Sequence, residues 1–115
     1  MTTFANWNNS SGGLFSTAHD WKPTGVPNSG NSDADLPALS QAYTVTSDLN
    51  EILDALYVGS AIGLNPTLAV TSGTFSVVST ANPFSNVYNY GTIKVGAATL
   101  ELGASTSGDT TEINL

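Results

Sequence analysis

Two short motifs recur together at one fixed offset. The unit Thr-Φ-x-Φ, with Φ apolar, stands at Thr67-Leu68-Ala69-Val70 and again at Thr74-Phe75-Ser76-Val77. Both reappear 25 residues later (67 to 92 and 74 to 99), as Thr92-Ile93-Lys94-Val95 and Thr99-Leu100-Glu101-Leu102. Each unit alternates apolar and polar positions, the pattern of a strand with one face in a core. Ser72-Gly73, Tyr90-Gly91, Gly96 and Gly103 supply breaks between units. Two short strands that shift jointly by 20–25 residues read as the coils of a β-solenoid, each strand pairing in parallel with its equivalent one coil on. On this reading Tyr43 and Val45 match Leu68 and Val70 one coil earlier, and Ile113-Asn114-Leu115 follows Ile93-Lys94-Val95 by 20 residues.

The rival fold is an antiparallel β-sandwich in which the seven-residue spacing is a hairpin turning at Ser72-Gly73. The preferred hairpin dipeptides Asn-Gly and Asp-Gly are absent. A sandwich also gives no reason for two units to shift together. The expected fold is therefore all-β, a β-solenoid of about three to four coils.

Residues 1–37 read as an N-terminal cap and loops, and 38–115 as the coils of one compact unit. The first segment holds both tryptophans (Trp7, Trp21), the single histidine (His19) and three of the five prolines. Leu14, Phe15 and Trp21 are its expected buried anchors. A solenoid needs its first coil covered, and large aromatics do that well. Trp7 and Phe15 would guard that end, and Ile113 and Leu115 would leave the last coil open to self-association. Residues 47–56 admit two readings. Leu49, Ile52, Leu53 and Leu56 fit one face of a helical turn capped by Ser47 or Asp48. An extended chain would instead point Ile52, Leu56 and Val58 inward.

Thr, Ser, Asn and Gly supply 51 of the 115 residues, while charged residues make up 10%. Two cations against nine acids, a net charge of −7, exclude binding to a phosphate backbone by charge neutralisation. The chain has no cysteine, so disulfide scaffolds and thiolate metal sites are excluded. No apolar run approaches the roughly 18 residues of a bilayer-spanning helix, so membrane insertion is not expected. No basic stretch followed by an apolar core marks a signal peptide.

The chemistry-bearing residues are sparse, and no catalytic residue is assigned. His19 adjoins Asp20, but neighbours in an extended chain point opposite ways, so a surface histidine is the plainer reading. Asp48, Glu51 and Asp54 fall on one segment, as the acids of a polysaccharide lyase or hydrolase would. The chain has no Arg for the usual base, and a solvated face is the plainer reading. The loop Asn28-Ser29-Gly30-Asn31-Ser32-Asp33-Ala34-Asp35 offers Asp33 and Asp35 as ligands for Ca²⁺, although Asp-x-Asp-x-Asp-Gly spacing is not met. Otherwise no cofactor is expected. Tyr88, Tyr90 and Trp21 are the candidate ligand-binding aromatics, because a flat ring beside polar groups can stack on a sugar. Tyr88 and Tyr90 would share one strand face.

The series Trp7…Gly13-Leu14-Phe15-Ser16-Thr17-Ala18…Asp20-Trp21-Lys22-Pro23…Gly25-Val26-Pro27…Asp33-Ala34, then Tyr43-Thr44-Val45-Thr46, Gly91-Thr92-Ile93-Lys94-Val95-Gly96 and Thr99-Leu100-Glu101-Leu102-Gly103, carries a resemblance. It resembles repeat modules of large bacterial surface and secreted proteins, the autotransporter-type adhesins and rhizobial-type repeat proteins. The resemblance implies a right-handed parallel β-helix, extracellular or cell-surface display, and a non-enzymatic structural or adhesive use. It implies type I or type V secretion as part of a larger protein. The implied partners are neighbouring repeats or further copies at the solenoid ends, and a glycan or host surface. A glycan-binding module and a fragment of a polysaccharide lyase or hydrolase are the alternatives.

Overall fold

The computed structural model describes residues 3–79, 84–104 and 110–114. The first coil carries β1 (Thr3–Trp7) and β2 (Gly13–Leu14), then a 3₁₀ turn at Ala18–Asp20 and the short return strand β3 (Trp21–Lys22). The second carries β4 (Ser32–Leu36), β5 (Thr44–Ser47) and β6 (Glu51–Leu53). The third carries β7 (Ala55–Val58), β8 (Thr67–Val70) and β9 (Thr74–Ser79). The fourth carries β10 (Phe84–Asn89), β11 (Thr92–Val95) and β12 (Thr99–Ala104), and β13 (Thr110–Asn114) continues beyond it.

Equivalent strands stack into three sheets: β13-β10-β7-β4-β1-β3, β11-β8-β5-β2 and β12-β9-β6. Among the described strands every pairing is parallel except that of β1 with β3. The chain is therefore a parallel β-solenoid of about four turns, and the antiparallel sandwich is ruled out. Thr67 lies opposite Thr92, and Thr74 opposite Thr99, so the 25-residue shift is a coil repeat. Further out the spacing varies. Thr44 pairs with Thr67 and Val45 with Leu68, a shift of 23 residues rather than 25. The two-residue difference preserves which side chains face inward, because the strand period is two. Ile113 pairs with Val87 in the six-stranded sheet and does not continue the Ile93 series.

Residues 47–56 are extended, with no helical turn. Glu51 and Leu53 point inward and Ile52 outward, 39% exposed, against the inward position expected of it. The buried corner at Asp54 then resets the alternation, so that Leu56 and Val58 face the core as expected. The backbone here is held by pairing with β9 and by Asn28, whose Oδ1 accepts from the Ile52 N–H at 2.8 Å. A helix would forfeit those partners. The solenoid also starts earlier than residue 38: β1 and β4, within the segment expected to be cap and loops, are two strands of the longest sheet. The expected loop at 28–35 is strand from Ser32 onward.

The core is a stack of inward columns. Val45, Leu68 and Ile93 form one, and Ser47, Val70 and Val95 another. Leu53, Val77 and Leu102 form a third, on the three-stranded sheet. At the first coil the lumen is filled by rings. Trp7 and Trp21 meet edge to face at 5.2 Å, Phe15 meets Trp21 at 4.9 Å, and Phe15 meets Phe75 at 5.3 Å. Each buried indole N–H is satisfied: Trp7 Nε1 donates to Asn9 O and Trp21 Nε1 to Phe15 O, both at 2.7 Å. Phe15 and Trp21 are thus buried anchors, whereas Leu14 faces outward and is 44% exposed. β3 lies antiparallel along β1 and covers that sheet's N-terminal edge.

Candidate functional site

Two surfaces carry the chemistry. The first is the outer face of the six-stranded sheet. Alternation sends Ala34 and Leu36 of β4 into the core and leaves Asp33 and Asp35 on the outside. The register then sets Asp35 beside Tyr57, and Tyr57 beside Tyr88. The two tyrosine rings are parallel within 6°, with centroids 5.1 Å apart. That distance is close to the spacing of about 4.8 Å between adjacent strands. The rings are therefore rungs of a ladder along the solenoid axis, with a face of each turned toward the other. Phe4 meets Tyr57 at 6.1 Å, tilted by 45°, so these two rings lean together across β4 and its carboxyls.

Asp54 sits at the corner entering β7, 1% exposed, and a side-chain hydrogen bond joins it to Asp33. Two carboxyl groups can bond only with a proton between them. Burial first, then the bond and charge of Asp54, push Asp33 up to about 6. Its Oδ1 is buried with no hydrogen-bond partner. Burial also raises Asp35. Tyr57 is raised by burial, then by the charge of Asp33 and by Tyr88, Asp54 and Asp35.

The sequence-predicted residues separate on this frame. Tyr88 lies on the outer face as expected. β10 ends at Asn89, so Tyr90 lies past the strand, in the bend that follows, and is 56% exposed. Trp21 is 2% exposed and has no face to offer a ligand; it belongs to the aromatic fill of the first coil. Asp33 and Asp35 lie on a strand whose backbone is committed to sheet pairing, and the Asp33 side chain is engaged with Asp54. No cluster of three or more metal-ligating side chains exists among the described residues. His19 is exposed, with Nε2 3.7 Å from Asp20 Oδ1. Asp48, Glu51 and Asp54 do not share an open face. Glu51 faces the lumen at 4% exposure, its Oε2 without a partner, and burial together with Asp48 pushes it up to about 7.

The second surface is the C-terminal end. In the inward columns of the two shorter sheets the third-coil members are fully buried and the fourth-coil members are not. Leu68, Val70, Phe75 and Val77 are each 0% exposed. Their successors on β11 and β12 (Ile93, Val95, Leu100 and Leu102) line an opening of about 420 Å³. β11 and β12 are the terminal strands of their sheets among the described residues. Ile113, expected at this end, is on β13, and Leu115 lies outside the described residues. The exposure of Ile113 and Leu115 lies outside what the structure describes; the apolar residues it does show at this end, on β11 and β12, were not named from the sequence. The signal for them was available: Thr92–Val95 and Thr99–Leu102 are later copies of the repeat.

No family model, curated protein or solved structure matches this chain.

Proposed function

We propose that the chain is a non-enzymatic structural module of a secreted or cell-surface bacterial protein, joined to further β-structure through its C-terminal end. The carrying observation is the asymmetry of the two ends. Aromatic rings fill the first coil, and β3 covers the edge of the longest sheet there. The last coil leaves Val95 43% exposed at a position where Val70, one coil below, is fully buried. Unpaired strand edges over an open apolar lumen are a template for more strands. The resemblance of Gly91–Gly96 and Thr99–Gly103 to adhesin repeats supports the same use, as does a chain poor in Lys and Arg and lacking Cys. The test is binding of an apolar fluorescent dye to dilute protein. Val95→Lys should abolish the signal with the circular dichroism unchanged. Absence of any dye signal from the parent protein would remove the reading.

A second reading is favoured by the carboxyl–phenol row of the six-stranded sheet. Asp35, Tyr57 and Tyr88 place oxygen atoms at strand spacing along a flat face, a pattern that suits the hydroxyls of a glycan. Each ring turns a face to its partner, so recognition would run through ring edges and hydroxyls. A glycan array with Tyr57→Ala and Tyr88→Ala tests it. Binding that survives both changes would exclude this face.

A further inference from the structure

We infer, resting on the reading of the outer face of the six-stranded sheet as a glycan surface, that the sugar it takes carries protonated amines, with an ammonium group seated over Asp35 against the ring of Tyr57.

The shape comes from the register. Asn6, Asp35, Tyr57 and Tyr88 lie side by side on β1, β4, β7 and β10. Tyr88 covers one face of Tyr57. The other face looks over β4, where the short side chain of Asp35 stands, and Phe4 borders that gap with its centroid 6.1 Å from Tyr57. A row that drops from two rings to a carboxyl leaves a notch, floored by Asp35 and walled by a ring face. A cation suits both surfaces. The carboxylate accepts a charge-assisted hydrogen bond from an ammonium, and the ring face attracts its charge.

Electrostatics selects the same class. Burial raises Asp35, and no cation offsets it. The strands of this sheet carry Asp33, Asp35 and Glu112, and Asp54 lies at the corner before β7. Lys22 is the one cation on these strands, and it lies beyond Asn6, two strands from Asp35. Among the described residues the only contact of ion-pair length is that of His19 with Asp20. Asp33 Oδ1 is buried with no hydrogen-bond partner. A neutral sugar lying on this face would strip water from the carboxyls and return no charge, which is costly. A uronic acid would add like charge. An amino sugar displaces the water and supplies the missing cation together.

Calorimetric titration with three oligosaccharides of equal length tests this: a glucosamine oligomer, its N-acetylated twin and a hexuronate oligomer. The glucosamine oligomer should bind at least about tenfold more tightly than its twin, and the hexuronate should not bind. Asp35→Asn should weaken the amine-bearing oligomer by about tenfold. Tyr57→Leu leaves the net charge unchanged and should weaken it by about threefold or more. Glu101→Gln removes an equal charge from the exposed side of the three-stranded sheet and should change binding by less than about twofold. Equal losses from Asp35→Asn and Glu101→Gln would overturn the inference, since net charge alone would then explain the attraction. Equal or tighter binding of the N-acetylated or hexuronate oligomer would overturn the class of sugar and leave the glycan surface standing. If none of the three binds, the inference falls, and the glycan array decides whether the surface falls with it.

Discussion

Val95 stands directly above Val70 in one inward column, yet Val70 is fully buried and Val95 is 43% exposed. The residue type, strand position and direction are the same. Among the described strands, β11 follows β8 over Val70, and no strand pairs with β11 over Val95. Burial in a solenoid is thus a property of the stack, since each coil covers the one before it.

That relation makes a direct comparison of two identical substitutions. Val70→Ala removes fully buried methyl groups and leaves a cavity, and should cost about 1–3 kcal/mol. Val95→Ala in dilute protein should cost less than about 1 kcal/mol, because water already reaches the site. Urea unfolding of the two variants checks this. Equal losses would mean that Val95 is covered in solution.

Stability should rise as the pH falls from 8 towards 5. The folded chain raises Glu51 from 4.5 to about 7 and Asp33 from 3.8 to about 6. A carboxyl raised on folding binds its proton more tightly in the folded state. Its contribution is fully present below the unfolded value and is lost as the pH rises through the folded one. For Glu51 the window is pH 4.5 to 7. The gain should be on the order of 1–3 kcal/mol, and Glu51→Gln should flatten the upper part of the curve. Thermal melts of parent and variant across this range provide the measurement. A parent curve that falls on acidification would contradict the placement of Glu51.

Trp21→Phe should destabilise the first coil by about 1–3 kcal/mol, because Phe15 O loses its donor inside an apolar cluster. Phe keeps one ring against Phe15 and Trp7 but is smaller than the indole, so the loss combines the missing hydrogen bond with a small cavity. Chemical denaturation should show the loss, and near-ultraviolet circular dichroism should show the aromatic cluster still formed.

Gly12→Ala should cost about 1–3 kcal/mol. Gly12 has a φ of 77°, a left-handed conformation, and a Cβ there would run into the Thr44 carbonyl at the entrance to β5. Equilibrium unfolding that matches the parent would show that this turn can move away from β5.

The repeat was legible because strand alternation and the 25-residue shift are both local. Thr67-Leu68-Ala69-Val70 and its copy at Thr92 carry their inward positions in their own spelling, and the pairing followed. The aromatic fill was legible too, since an all-β chain has few places for two tryptophans in a Gly- and Asn-rich segment. The corners were not. Asp54 resets the alternation between Leu53 and Ala55, so Ile52 turns outward and Glu51 inward, and no propensity in residues 47–56 encodes that. Helical spacing of Leu49, Ile52, Leu53 and Leu56 describes the same residues equally well. The pairing with β9 and the bond from Asn28 decided between the two.

The same division runs through the candidate site. Tyr88 could be named as a surface aromatic from alternation alone. Its partners could not, because Asp35, Tyr57 and Tyr88 are far apart in the chain and become neighbours only when coils of unequal length stack. Local alternation, which needs no partner, settled what each strand would bury. Which strands lie beside one another, and which end stays open, depended on long-range register, because hydrogen bonding between coils is satisfied only when the whole stack forms.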